Sequence, residues 1–247
     1  MKQRWLPMLA VAALASLLSL SGCGSPPTVH AQKAFSLAGT RLVIDTESDL
    51  RLIPGSGPGI QVQRWLSGTP ARPGHSSWTL AGDTLRLSID CTGLVFHCGS
   101  RFQVAMPPHL SVVVHSGDNN VTVSGLTGGV VIDGGAGTVQ LTGTSGPLQV
   151  STDSGNITAS AIRSLVVDAT SNQGSVDIGF AAPSERVDIT TTDGNATARV
   201  PVTGHQYHVI VTGSTGPGHS KVPHDPRSTS VVQVTSGNGN ATVLPAS

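Results

Sequence analysis

Apolar and polar residues alternate along most of the chain, in short bursts separated by glycine, asparagine and serine. The phrase "SGDNNVTVSGL" at 116–126 returns almost unchanged as "SGNGNATVLPA" at 236–246. Between them lie "GGAGTVQL", "DSGNITA", "NQGSVDI" and "TDGNATA". Aligned on the turn, these copies put Asn119, Gly137, Gly155, Gly174, Gly194 and Gly239 at one position. The steps are 18, 18, 19 and 20 residues, then 45, with a degenerate copy, "TGSTGPGHSKV", at 212–222 in the gap. The two outer phrases therefore read as the first and last rungs of one array.

Each period predicts two short strands. The first follows the turn ("NVTV", "TVQL", "NITA", "SVDI", "NATA"), and the second comes about ten residues later ("GVVID", "LQVST", "LVVDAT", "RVDITT", "YHVIVT"). Alternation gives each strand one buried and one wet face. Val121, Val139, Ile157, Val176 and Ala196 share the inward register, and Thr122, Gln140, Thr158, Asp177 and Thr197 face water. A unit this small cannot bury its apolar face alone, so copies must stack into a continuous core. The expected fold is all-β: a parallel β-solenoid with two short strands per coil of about 18–20 residues. Glycine and asparagine at the turns are expected to supply positive φ. The same repeat accounts for the Asn-x-Thr triplets at Asn120, Asn156, Asn195 and Asn240 better than glycosylation does.

Residues 34–112 alternate with longer turns and read as a less regular N-terminal capping region, with Trp65, Trp78, Phe96 and Phe102 as a heavier core. Residues 113–247 read as the regular repeats. Composition agrees. Charged residues are only 11%, against the charge-rich make-up of long helical proteins, and aromatics are only 3%, as small Val/Ile/Ala cores require. A net charge of zero points away from nucleic acid as a partner.

The N-terminus predicts export. Lys2 and Arg4 precede an apolar run from Trp5 to Leu20, too short and too soon interrupted for a membrane-spanning helix. "LSGC" (Leu20–Cys23) resembles the lipobox of bacterial lipoproteins. That resemblance implies a signal peptide over 1–22, removal at Cys23 and acylation of its thiol, with membrane lipid as the partner. Residues 23–33, rich in Gly, Ser and Pro, then read as a flexible tether. The expected location is the outer face of the cytoplasmic membrane. Cys91 and Cys98 remain; in an oxidising compartment they are expected to pair as a disulfide between flanking strands, in preference to a metal site with His97.

"VAMPPHLSVVVHSGDNNVTVSGLTGGVVI" and the later phrases ending in "TSGNGNATV" resemble the DUF4097 β-strand-repeat family of bacterial envelope proteins, over about residues 40–244. The resemblance implies a two-strand parallel solenoid and an adhesin-like role, and it supplies no catalytic residues.

Candidate chemistry is sparse. Asp168 and Asp188 each lie six residues before a turn glycine and should be neighbours on adjacent rungs, where a carboxylate pair can bind a cation or share a proton. Solvated acids on a strand explain them as well. The turn-edge series Asp118, Asp153, Asn172, Asp193 and Asn238 lacks the glycine-rich nonapeptide of calcium β-rolls. His205, His208, His219 and His224 cluster near the end, but alternation places His205 and His208 on opposite faces. No catalytic residue, metal or cofactor is expected. The reading is a non-enzymatic, lipid-anchored envelope protein offering a wet face to cell-wall glycan or an envelope protein. The alternatives are an accessory regulator of an envelope-stress system and a carbohydrate-active β-helix enzyme.

Overall fold

The computed structural model describes residues 27–92, 97–214 and 216–246. In the N-terminal part the strands are β1 (Val29–Phe35), β2 (Arg41–Thr46), β3 (Asp49–Pro54), β4 (Ile60–Gly68), β5 (Ser76–Ala81), β6 (Thr84–Ile89) and β7 (Cys98–Met106). The repeats follow as β8 (Ser111–Gly117), β9 (Val121–Ser124), β10 (Val130–Gly134), β11 (Val139–Thr142), β12 (Leu148–Thr152), β13 (Ile157–Ile162), β14 (Val166–Ser171), β15 (Val176–Phe180), β16 (Arg186–Asp193) and β17 (Ala196–Val200). The chain ends with β18 (His208–Gly213), β19 (Gly216–Pro217), β20 (His219–Ser220), β21 (Val231–Asn238) and β22 (Ala241–Pro245).

These strands form two 11-stranded sheets. The first runs β1-β4-β7-β3-β9-β11-β13-β15-β17-β22-β20 and the second β19-β18-β21-β16-β14-β12-β10-β8-β2-β6-β5. Pairing is parallel throughout the middle, so the fold is the all-β, two-strand solenoid that the repeat predicts. The chain crosses at each rung from the second sheet to the first through a tight turn. Val121, Val139, Ile157, Val176, Ala196 and Ala241 line up strand by strand and are buried, facing Val130, Leu148, Val167, Val187 and Val232 of the other sheet. Each buried Val or Ile contributes about 1.5–3 kcal/mol, which lets the core do without large rings.

Most of the turn positions have a different cause from the one expected. Gly194 has a positive φ (156°), but Asn119, Gly137, Gly155, Gly174 and Gly239 do not. What excludes a side chain is the rung beneath. A Cβ on Gly155 would overlap the Gly137 carbonyl oxygen, one on Gly174 the Gly155 oxygen, and one on Gly239 the Gly194 oxygen. Buried hydroxyls at the ends of the second-sheet strands satisfy these carbonyls. Thr152 and Ser171 donate to Gly155 O (2.8 and 3.1 Å), Thr191 to Gly174 O (2.8 Å) and Ser236 to Gly194 O (2.7 Å).

The ends depart from chain order. The rung β21–β22 stacks directly on β16–β17, and β18 and β20, which precede it in the chain, lie outside it. The degenerate copy is therefore the end cover and not an intermediate rung. The other end mirrors this: β2–β3 sits between β8–β9 and β6–β7. Antiparallel β4 and β1, and β5 on the other sheet, close that end. Residues 29–33 form part of β1, and residues 112 and 113 both lie within β8. The heavier core is also smaller than expected. Phe102 is buried and Trp78 half-buried, but Trp65 lies on the outer face and Phe96 lies outside the described residues. Arg64 occupies an inward register on β4, with its guanidinium 4.1 Å from the Trp78 ring. Burial pulls that guanidinium below its ordinary proton affinity. At the far end Tyr207 is fully buried, and its hydroxyl donates to Pro201 O at 2.9 Å.

Two outcomes check this architecture. Gly174→Ala, which forces a Cβ against backbone, is expected to cost about 1–3 kcal/mol in urea unfolding. Gly57→Ala, at a glycine with open space and no positive φ, is expected to leave stability unchanged. Burial pushes the phenol of Tyr207, the only tyrosine, up to about 12, against about 10 in the unfolded chain. Between those values the unfolded state binds fewer protons, so stability is full below pH ~10 and falls as pH rises toward ~12. Phenolate absorbance during a pH titration reads this directly; ionisation with a midpoint near 10 in the folded protein would contradict the burial.

Candidate functional site

In-register pairing turns outward residues into columns. On the first sheet one column runs Gln32, Gln63, Gln103, Arg51, Thr122, Gln140, Thr158, Asp177, Thr197, Thr242 and His219. Every position is polar, across all strands of the sheet. The expected wet register is therefore observed and extends into the N-terminal region. Near the far end Asp177 is bound to Arg199.

At the N-terminal end this face sinks into a groove of about 470 Å³, lined by Asp49, Leu50, Arg51, Trp65, Arg101, Gln103, Asn120, Thr122 and Gln140. Trp65 stands between two neighbours in the next column. The His30 ring stacks on it at 4.9 Å, and the Arg101 guanidinium lies 4.6 Å from its centroid. Asp49 Oδ1 accepts from both Asn120 N and Asn120 Nδ2 at 3.0 Å. The sequence does carry a signal for this. In "IQVQRWL" the buried positions Ile60, Val62 and Leu66 place Trp65 on the opposite face.

Asp168 and Asp188 are adjacent in register, flanked by Gln149 and Gln233. Arg186 Nη2 lies 3.9 Å from Asp188. The turn-edge acids and amides bond to one another up the stack: Ala136 N donates to Asp118, and Asn172 and Asn238 side chains donate to Asp153 and Asp193. The Asn-x-Thr residues form a second ladder. Asn120 Oδ1 accepts from Thr138 N (2.9 Å), Asn156 from Ser175 N (2.8 Å) and Asn195 from Asn240 N (3.0 Å). His205 contacts Ser230 Oγ at 3.0 Å and Tyr207, while His208 and His224 meet edge to face at 5.2 Å. Among the described residues no three His, Cys, Asp or Glu side chains group to hold a metal. Sequence reasoning missed an outer cluster on the second sheet, where Asp45 lies 2.9 Å from His115 and 3.6 Å from Arg86. Cys91 and Cys98 are bonded, with Cα atoms 6.0 Å apart, in the turn joining β6 to β7. Beside them Thr92 donates its N–H and its hydroxyl to Asp90, which holds that carboxyl below the usual range. Cys23 lies outside the described residues.

A stack of two-strand rungs with a polar outer column on one sheet defines a repeat β-solenoid. The family model described as Toastrack DUF4097 matches residues 103–243, more than half of the chain, and the chain belongs to that family. Among solved structures it is similar to a candidate cell adhesion protein from Clostridium sporogenes, at 10% identity and a TM-score of 0.38, covering 89% of this chain and 99% of that one. It is also similar to candidate adhesins from Parabacteroides merdae (11%, TM-score 0.42, 87% and 96% covered) and Parabacteroides distasonis (14%, 0.42, 88% and 97%). No curated protein sequence matches it.

The asparagine ladder has a measurable consequence. Asn195→Ala removes the acceptor of Asn240 N–H and is expected to lower the unfolding free energy by about 0.5–1.5 kcal/mol. No change in urea unfolding would deny the ladder a structural role.

Proposed function

We propose that the protein is a non-enzymatic binding module of the bacterial cell envelope. It is anchored by acyl chains on Cys23 and presents the outer face of its first sheet to wall glycan. The observation that carries this reading is the unbroken polar column, with its groove, crossing that sheet. Hydroxyl and amide side chains at the strand spacing of about 4.8 Å offer repeated donors and acceptors to a polymer with its own repeat. The anchor would hold the module at the membrane surface, because two or more acyl chains bind stably where one does not.

The test is crosslinking in the native cell, followed by purification, mass spectrometry of proteins and sugar analysis of glycans. Wall glycan captured at a saturable level is expected. Cys23→Ser should abolish fatty-acid labelling and release the protein from membranes. The double variant Asp168→Asn, Asp188→Asn should capture glycan at the wild-type level without altering it. A single dominant membrane protein, with no glycan, would replace this reading with the accessory regulator. Glycan cleavage that the double variant loses would make the protein an enzyme.

A further inference from the structure

The outer face of the first sheet is not uniform along its length. Toward the C-terminal rungs its charges are used internally, since Asp177 is bound to Arg199. In the groove the balance differs. Arg51 and Arg101 sit on β3 and β7, Arg51 beside Gln103 and Arg101 beside Asp49. Among the described residues neither arginine has a carboxylate within 4.0 Å. Asp49, the acid of the groove, spends one oxygen on Asn120. Strands about 4.8 Å apart and a two-residue offset place the two arginine Cα atoms on a diagonal of about 8 Å. Both side chains are long enough to reach a shared oxyanion from this distance.

Trp65 determines how the site works. His30 covers one side of its ring and Arg101 the other, so no sugar can stack on it. Its effect falls on Arg101, whose guanidinium is held against the indole by cation–π attraction before a ligand arrives. An arginine ordered in advance loses less freedom on binding. A planar guanidinium can then engage a carboxylate or phosphate through two parallel hydrogen bonds. Around the pair, Gln103, Thr122, Gln140 and Asn120 offer amide and hydroxyl groups matched to sugar hydroxyls.

The other clusters are less open. Asp45 already has His115 and Arg86 as neighbours, and Asp188 has Arg186.

We propose that this groove is an anion-selective glycan subsite, in which Arg51 and Arg101 grip one oxyanion of an acidic envelope polymer while the glutamines and Thr122 hold its hydroxyls. The proposal rests on the glycan-binding reading above and names the polymer's chemistry. Two sources supply that chemistry: a carboxylate-bearing sugar chain or a phosphodiester-linked polyol.

The test is affinity of the soluble module (residues 24–247, with the disulfide intact) for polygalacturonate, for a glycerol-phosphate polymer and for neutral dextran, at low and high salt. Binding to at least one acidic polymer is expected, weakening as salt rises. The Arg51→Gln, Arg101→Gln double variant is expected to lose at least about tenfold in affinity. Trp65→Ala should weaken binding of the acidic polymer, and Trp65→Phe, which keeps an aromatic face for Arg101, should retain most of it. Arg101→Lys, which keeps the charge and loses the planar fork, should fall between the wild type and Arg101→Gln. Which acidic polymer binds more tightly identifies the source. Equal binding of dextran, or an arginine double variant that binds as wild type, would overturn the anion subsite and leave the glycan-binding reading standing. Capture of native envelope glycan with no acidic polymer bound would do the same. No binding to any polymer and no glycan captured from cells would overturn both.

Discussion

Backbone meets backbone at one corner of the regular repeat coils, and that part of the molecule is arranged around the contact. The carbonyl of one turn glycine fills the space where the next glycine's Cβ would stand. Rungs can close to hydrogen-bonding distance there only if the side chain is missing. Once they do, the strands on either side must pair in register, because the corner leaves no slack. Register in turn lines up the buried valines, the hydroxyls that bond the glycine carbonyls, the asparagine ladder and the polar columns outside. A single steric condition, repeated, thus specifies both the core and the outer face.

Much of this is legible from the residues. Alternation separates Val139 and Ile157 from Gln140 and Thr158, and the period predicts that each pair will be neighbours. Asp168 and Asp188 are read correctly as adjacent for the same reason. What escapes a local reading is whatever depends on a distant partner. Glycine at a turn admits two explanations, and only the neighbouring rung distinguishes close approach from positive φ. The 45-residue step hides a swap of rung order, since nothing in "TGSTGPGHSKV" says that it lies outside β22. Val29 to Phe35 forms a strand because β4 offers an edge, although the preceding residues resemble a linker. Trp65 reads as core by its size, but its alternation with Val62 and Leu66 places it outside.

The outer face follows the same logic of repetition with local exceptions. A solenoid presents similar groups at a constant spacing, so recognition of a long polymer needs little invention at each rung. Distinctive chemistry enters where the repeat is broken. The N-terminal rungs carry longer side chains, a ring and two arginines that have no carboxylate within 4.0 Å among the described residues, and there the face deepens into a groove. The irregular end is therefore more than a cover for exposed strand edges. It contributes the aromatic ring and two arginines to a surface that the regular rungs extend mostly with hydroxyl and amide groups.

The interchanged rungs at the two ends bear on how the molecule is made. A growing or translocating chain emerges from its N-terminus, and β2–β3 appears early, yet its place lies between β8–β9 and β6–β7, which come later. At the other end β18 lies beyond β21, which emerges after it. Neither end can assume its final order by adding rungs one after another as they appear. β21 and β22, which come later in the chain than β18 and β20, form the internal course on which those strands rest. A chain cut short before β21 would lack this course of the wall and leave the cover without the strand it rests on.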